Sequence, residues 1–172
     1  MTKSIKPFVA SSIMAISLFG GGTLAPLSTA MAVTCSGWGC DNTSPVTTGC
    51  SSGAVTKKTA NMYNNQWPYD LVAKVELRFS STCHTVWSRV VLLADHGATD
   101  VYTETTRTVS GPPPNYVVDD VDYNLYYPAS AYSPQVYLPA SDTDAYSAKA
   151  CGDVTNQTVM SASGCTSLWT GI

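Results

Sequence analysis

Six cysteines follow a segment with the pattern of a cleavable secretory leader, and this combination constrains the fold of the chain more than any other feature. Two lysines precede an uncharged apolar stretch at residues 8–19, and Ala30-Met31-Ala32 matches an A-x-A cleavage site. We therefore expect residues 1–32 to be a signal peptide and Val33 to begin the mature chain. The apolar stretch is shorter than the ~20 residues that span a bilayer, which argues against a membrane anchor and against stable membrane insertion.

An even number of cysteines in a secreted chain predicts disulfide bonds. Six cysteines allow fifteen pairings, and the sequence does not choose among them. We favour Cys151–Cys165, which lie near the C-terminus on segments that could be adjacent strands. Cys50–Cys83 comes next, because it would tie the N-terminal segment to the central sheet, and it leaves Cys35–Cys40.

Composition limits which partners the mature chain can bind and indicates the compartment in which it works. Removing the two leader lysines from the nine basic residues leaves seven, against twelve acidic residues, so residues 33–172 carry a net charge of −5. Nucleic-acid binding depends on neutralising phosphates with Lys and Arg, so we expect no nucleic-acid partner. The abundance of Thr, Ser, Tyr and Val favours a β-rich extracellular domain.

Short alternating segments separated by turn residues predict an all-β fold, a small sandwich or barrel stabilised by disulfides, with no helix of any length. Residues 33–172 are expected to form one domain. In residues 73–80, Val75, Leu77 and Phe79 alternate with charged side chains, and residues 86–93 return as a more buried strand. The other predicted strands are 54–61, 100–109, 116–127, 135–138, 145–151 and 166–170. The prolines at 112–114 predict an exposed connector, because proline cannot donate to a strand ladder.

One stretch resembles a known family. The segment Val75-Glu76-Leu77-Arg78-Phe79-Ser80, followed by Cys83 and by Val86-Trp87-Ser88-Arg89-Val90, is similar to the signature of a secreted Gram-positive family known only as domain of unknown function twenty-six ninety. The cysteines upstream and Cys151-Gly152 and Cys165-Thr166 downstream also resemble that family. The resemblance implies secretion and a β-rich, disulfide-bonded domain, and it implies no activity.

The paired strands supply the first candidate binding residues. In an antiparallel hairpin, Glu76 and Arg78 share one face of their strand, and Trp87 and Arg89 share one face of theirs. The four could assemble into a charged and aromatic patch in which Glu76 pairs with Arg89 across the strands. An arginine over a tryptophan is a favourable cation–π arrangement. The cluster has two interpretations, a ligand-binding patch or a cross-strand cluster that sets the register, and we favour the second.

Tyrosines crowd residues 116–137, where basic residues are few. Tyrosine combines a flat apolar ring with a polar tip, which suits contacts with proteins or sugars. We take Tyr126, Tyr132 and Tyr137 as further candidate binding residues. The alternative is that about half of these rings belong to the core.

The sequence favours no catalytic or metal site. A cysteine nucleophile needs a free thiolate, but the cysteine count is even, and the chain has no G-x-S-x-G motif. The two histidines show no ligand spacing and there is no C-x-x-C pair, so we expect no metal and no cofactor. Asp119, Asp120 and Asp122 lie too close in sequence to form the facing carboxylates of a glycosidase.

Three functional hypotheses remain. The first is a secreted non-catalytic module that binds a protein or a cell-envelope glycan. The second is an extracellular inhibitor of another secreted protein that docks through a stiffened loop at residues 133–137. The third, less favoured, is a small hydrolase.

Overall fold

The computed structural model describes residues 32–109, 115–139, 146–156 and 160–170. Residues 1–31 of the predicted leader and the prolines at 112–114 lie outside the described residues. The described chain is all-β, apart from a four-residue 3-10 helix at Gly37–Cys40. None of the described residues form a helix that is long and apolar enough to cross a membrane.

The strands are numbered in chain order. They are β1 Val55–Tyr63, β2 Leu71–Ser80, β3 Thr85–Leu92, β4 Thr99–Val109, β5 Tyr116–Leu125, β6 Ser130–Tyr132, β7 Val136–Tyr137, β8 Tyr146–Asn156, β9 Ser161–Cys165 and β10 Trp169–Thr170.

Two antiparallel five-stranded sheets pack face to face as a sandwich. The first sheet has the order β1-β2-β3-β6, and β7 also pairs with β3. The second sheet has the order β10-β8-β4-β5, and β9 also pairs with β8. The chain crosses between the sheets after β3, β5 and β7, so each sheet contains strands that are distant in sequence. The predicted all-β fold is confirmed, and of the two predicted architectures, a sandwich or a barrel, the structure has the sandwich.

Alternation along each strand places apolar side chains between the sheets. Val75 and Leu77 of β2 and Val90 of β3 are fully buried there. The sheets approach closely at Gly152 of β8, where an added Cβ would lie 2.3 Å from Val90 Cγ2. A side chain at position 152 would therefore push the two sheets apart, which explains the glycine.

The sandwich has two dissimilar ends. At the closed end, the N-terminal segment 34–54 packs beside the β2–β3 turn and residues 134–138. At the opposite end, which we call the aromatic end, lie residues 63–71, 93–98 and 123–129. Two hydrogen bonds join the loops of the aromatic end to neighbouring strands: Leu92 N donates to Ala129 O (3.1 Å), and Leu93 N donates to Val72 O (2.8 Å).

The three favoured disulfide pairings are confirmed. Cys35–Cys40 and Cys50–Cys83 lie at the closed end, and Cys151–Cys165 links β8 to β9. Cys50–Cys83 ties the N-terminal segment to the β2–β3 turn, as expected.

Several predicted strand boundaries are wrong. The segment predicted as one strand over 116–127 ends at Leu125, and the segment predicted over 166–170 shortens to Trp169–Thr170. The strand predicted at 145–151 extends to Asn156. Two strands, β6 and β9, were not predicted. Both are short and rich in Ser and Ala, so they carry little local strand signal and depend on pairing with β3 and β8.

Candidate functional site

The charged residues predicted on the hairpin come together on the outer face of the first sheet. Glu76 lies directly opposite Arg89, and Arg78 lies opposite Trp87. Arg89 donates to Glu76 Oε2 through both Nη2 and Nε, the latter at 2.8 Å. Lys74 Nζ lies 2.8 Å from Glu76 Oε1, and Arg78 Nη1 lies 4.0 Å from Oε2. Three cations therefore surround one carboxylate.

This arrangement shifts the pKa values of Glu76 and Arg78. Burial raises the pKa of Glu76, but hydrogen bonds from Lys74 and Arg89 outweigh it, so that this pKa lies below its usual range. Burial and the neighbouring charge of Arg89 lower the pKa of Arg78. Glu76 is therefore held as the carboxylate, which suits it to pair with cations and makes it a poor general acid.

The same residues hold three strands together. Arg78 donates from Nη1 to Thr56 Oγ1 and from Nη2 to Ala54 O, both at 2.5 Å, which joins β2 to β1. Glu76–Arg89 joins β2 to β3. Trp87 is 1% exposed although it lies on the outer face, so its ring is not available to stack on a ligand. These contacts favour the interpretation that Glu76, Trp87 and Arg89 set the strand register.

The structure separates the three candidate tyrosines. Tyr132 lies in β6 directly opposite Arg89, at the margin of the charged cluster. Tyr137 lies at the closed end, where its ring meets the ring of Trp38 edge-on with centroids 5.1 Å apart. Tyr126 lies at the aromatic end and is exposed. The predicted binding residues therefore occupy three regions of the molecule and do not form one patch.

The closed end is organised by buried polar contacts. Gln135 is fully buried. Its Nε2 donates to Thr43 Oγ1 (3.0 Å) and Thr48 Oγ1 (2.9 Å), and its Oε1 accepts from Thr85 Oγ1 (2.7 Å). This side chain thus joins the irregular N-terminal segment to β3. Buried and satisfied groups of this kind favour a structural role for the closed end.

The aromatic end presents the largest exposed rings. Trp67 is 85% exposed, the highest value among the large hydrophobic side chains that the structure describes as exposed. Every exposed aromatic side chain in the described chain except Trp38 lies at this end. The set is Tyr63, Trp67, Tyr69, Tyr123, Tyr126 and Tyr127.

The loop that carries Trp67 is held by hydrogen bonds on both sides. Asn64 N donates to Asp70 O, and Asp70 N donates back to Asn64 Oδ1, both at 3.0 Å. Asn65 N donates to Ser161 O at 3.0 Å, and Ser161 N donates to Asn65 Oδ1 at 3.4 Å. The first pair closes the loop on itself and the second ties it to β9 of the other sheet. Trp67 and Tyr69 are therefore displayed on a loop that hydrogen bonds hold in place.

The charge of the aromatic end differs from that of the outer face. Residues 63–71, 93–98 and 123–129 contain Asp70 and Asp95 and no Lys or Arg. An arrangement of exposed rings with acidic and amide neighbours suits an uncharged or cationic ligand and disfavours a polyanion.

Sequence reasoning missed Trp67 and Tyr69 as candidate binding residues. The structure places both rings on the connection between β1 and β2. The sequence signal for these two residues was a tryptophan and a tyrosine that follow Asn64-Asn65 in a segment without apolar alternation. A ring in such a turn is not directed into the core and is expected to be exposed.

The cysteine sulfurs at the closed end offer no metal site. Those of Cys35, Cys40 and Cys50 lie within 4.8 Å of one another. Each of the three belongs to a disulfide, and none of the six cysteines is free. Metal coordination and nucleophilic attack both need a thiolate, which an intact disulfide does not supply.

Comparison with known proteins gives a relative whose name states no activity. A Bacillus subtilis (strain 168) protein, "Uncharacterized protein YjfA", is 35% identical over 105 residues, which cover 56% of this chain and 62% of that protein. The chain thus spans less than two thirds of that relative's length. No solved structure matches the chain.

The family model described as "Protein of unknown function (DUF2690)" matches residues 38–151. The match includes the charged hairpin, the closed-end segment from Trp38 onward and all three loops of the aromatic end. The chain belongs to this family.

Proposed function

We propose that this protein is a secreted, non-catalytic recognition module that binds a cell-envelope glycan through its aromatic end. The observation that carries the proposal is Trp67, 85% exposed on a hydrogen-bonded loop and accompanied at the same end by exposed tyrosines. Six disulfide-bonded cysteines support an extracellular location, because such bonds persist in oxidising compartments.

Exposing these aromatic rings to water costs free energy. Removing apolar surface from water contributes about 25 cal/mol per Å², so a ligand that covers Trp67 and neighbouring tyrosines gains affinity from their burial. The faces of sugar rings carry C–H groups that pack against aromatic rings, while tyrosine hydroxyls donate and accept hydrogen bonds at the edges. The ordered loop lowers the entropic cost of binding, because little of it needs to be immobilised.

Charge supports a glycan over a polyanion at this end. The three loops carry two aspartates and neither Lys nor Arg. Carboxylates accept hydrogen bonds from sugar hydroxyls but repel phosphate and sulfate groups.

The inhibitor hypothesis receives less support. Its docking loop was expected at residues 133–137, but Ser133, Gln135 and Val136 are fully buried. Those side chains are occupied within the protein and offer little surface to a target.

A pull-down on purified, insoluble cell-wall glycan tests the proposal. We expect the wild-type protein to bind, and Trp67→Ala to reduce the bound fraction at least tenfold with an unchanged fold. Leu168→Ala is the matched control, because it removes an exposed apolar side chain near β10, at the opposite end of the molecule. Equal binding by wild type and Trp67→Ala would contradict the proposal, as would equal losses in both variants.

A further inference from the structure

The outer face of the first sheet carries a second, electrostatically distinct surface. Its charged cluster consists of three cations, Lys74, Arg78 and Arg89, and the single carboxylate Glu76, which leaves a net charge of 3 − 1 = +2. The mature chain as a whole is acidic. This surface is therefore opposite in sign to the protein that carries it.

The second sheet shows the contrast most clearly. On its outer face, strand register places Glu104 beside Asp119, and Tyr102 beside Asp153. Burial and the nearby Glu104 raise the pKa of Tyr102 to about 12. The sandwich thus has a cationic face on one sheet and an anionic face on the other.

The side chains of the cationic cluster differ in exposure, and this difference determines which of them a ligand contacts. The Glu76 side chain is 4% exposed, whereas those of Lys74, Arg89 and Arg78 are 33%, 27% and 15% exposed. The carboxylate therefore lies beneath the cations, where it positions them. A ligand approaching this face contacts ammonium and guanidinium groups first.

The cations also form a row. Lys74 and Arg78 lie four residues apart on β2, which corresponds to about 13 Å along a strand. Arg89 projects between them from β3, since it pairs with Glu76. A row of this length exceeds a single small anion and fits a chain that repeats its negative charges.

We propose that this face binds a linear, phosphate-bearing polyanion, with Lys74, Arg78 and Arg89 contacting successive anionic groups. A guanidinium has five N–H donors, so Arg78 and Arg89 retain donors for phosphate oxygens beyond those they give to Thr56, Ala54 and Glu76, and the lysine adds a point charge. The single buried carboxylate leaves two positive charges unneutralised, and a bound polyanion would neutralise them. This surface is separate from the aromatic end and the proposal does not depend on the glycan-binding function.

Fluorescence anisotropy with labelled inorganic polyphosphate as the probe tests the proposal on the full mature protein. We expect binding in 50 mM salt that weakens steeply by 200 mM, as ionic contacts require. Lys74→Glu should lower the affinity at least tenfold. Lys149→Glu is the matched control, since it makes the same change in total charge on the second sheet, and its affinity should stay within twofold of wild type.

Circular dichroism and thermal melting would verify that both variants are folded. Lys74→Gln is the milder variant if Lys74→Glu fails to fold, because Arg89 still pairs with Glu76, and it should also weaken binding. Absence of wild-type binding at low salt, or equal losses in Lys74→Glu and Lys149→Glu, would overturn the proposal. Trp67→Ala should retain polyphosphate binding, which distinguishes a failure of this proposal from a failure of the glycan-binding function.

Discussion

The closed end and the aromatic end of the sandwich differ in where their side chains lie. The closed end is held by buried and cross-linked side chains, whereas the rings of the aromatic end are exposed to solvent. At the closed end, two disulfides and the buried Gln135 network attach an irregular segment to the sheets. At the aromatic end, the described loops carry no disulfide, and backbone hydrogen bonds order them while their rings face solvent. Two of the three disulfides thus lie where the chain lacks regular structure, whereas Cys151–Cys165 links the paired strands β8 and β9, and the exposed rings lie on loops without a cross-link.

Arginine 107 shows how closely the closed end is packed. Its guanidinium lies over the rings of Trp38 (4.6 Å) and Tyr116 (4.8 Å). Nη1 also donates to Asp41 Oδ2 (3.0 Å) and Tyr137 O (2.8 Å). No comparable clamp joins the rings of the aromatic end in the part of the chain that the structure describes. The difference favours a structural role for one end and ligand contact for the other.

The largest expected effect is the loss of stability caused by replacing the buried Trp87. Trp87 is 1% exposed and lies near the start of β3, where that strand leaves the closed end. Trp87→Ala should destabilise the protein by about 3–5 kcal/mol, because it leaves a large cavity. Urea unfolding measures the change. A loss below about 1 kcal/mol would contradict the assignment of Trp87 to a packed, structural region.

The disulfides of the closed end should contribute unequally. Cys50–Cys83 closes a loop with a sequence separation of 33, and Cys35–Cys40 closes one of 5. Chain entropy predicts a loss of about 4 kcal/mol for Cys50→Ala/Cys83→Ala and about 2 kcal/mol for Cys35→Ala/Cys40→Ala. Denaturant titration of the two double variants tests the order. Each variant, while folded, should still bind cell-wall glycan through the aromatic end. A loss of glycan binding in a folded variant would show that the two ends are coupled.

Asp122 provides a pH-dependent test beside the aromatic end. Burial, together with the neighbouring Asp120, raises its pKa above the ordinary 3.8. The folded protein therefore disfavours ionised Asp122, a penalty that is complete above the raised pKa and disappears below the ordinary value. Asp122→Asn should raise the melting temperature at pH 7, and the gain should vanish as the pH falls below 3.8.

Melting curves across this pH range measure the effect. Asp95→Asn is the control, because Asp95 is exposed and its side chain accepts a hydrogen bond from Gly97 N that asparagine can also accept. It should leave the melting temperature at pH 7 unchanged. A gain for Asp122→Asn that persists in acid would contradict the electrostatic explanation.

The smallest expected effect on stability is that of Trp67→Ala. An 85% exposed ring contributes little to packing, so the free energy of unfolding should change by no more than about 0.5 kcal/mol. Measured beside Trp87→Ala in the same urea titration, it compares the same substitution in two environments. A loss as large as that of Trp87→Ala would remove the distinction between a structural region and a ligand-contacting end.

Much of the fold was predictable because its signals are local. Alternation in residues 73–80 and 86–93 predicted the hairpin and the Glu76–Arg89 pair, which the structure forms between Leu71–Ser80 and Thr85–Leu92. The favoured cysteine pairs followed from which segments were expected to be neighbours. In contrast, Ser161–Cys165 forms a strand only because β8 supplies its hydrogen-bonding partner, a contact that no local pattern encodes.

The amino-acid sequence by itself determined the all-β class, the hairpin that carries the charged cluster, and the cysteines available for cross-linking. Only the tertiary structure decided which rings are buried. Alternation places Trp87 on the outer face of its strand, yet it is 1% exposed, while Trp67 in a turn is 85% exposed. The reason is that the direction of a side chain is set by its own backbone, whereas its burial depends on residues that fold against it from elsewhere in the chain.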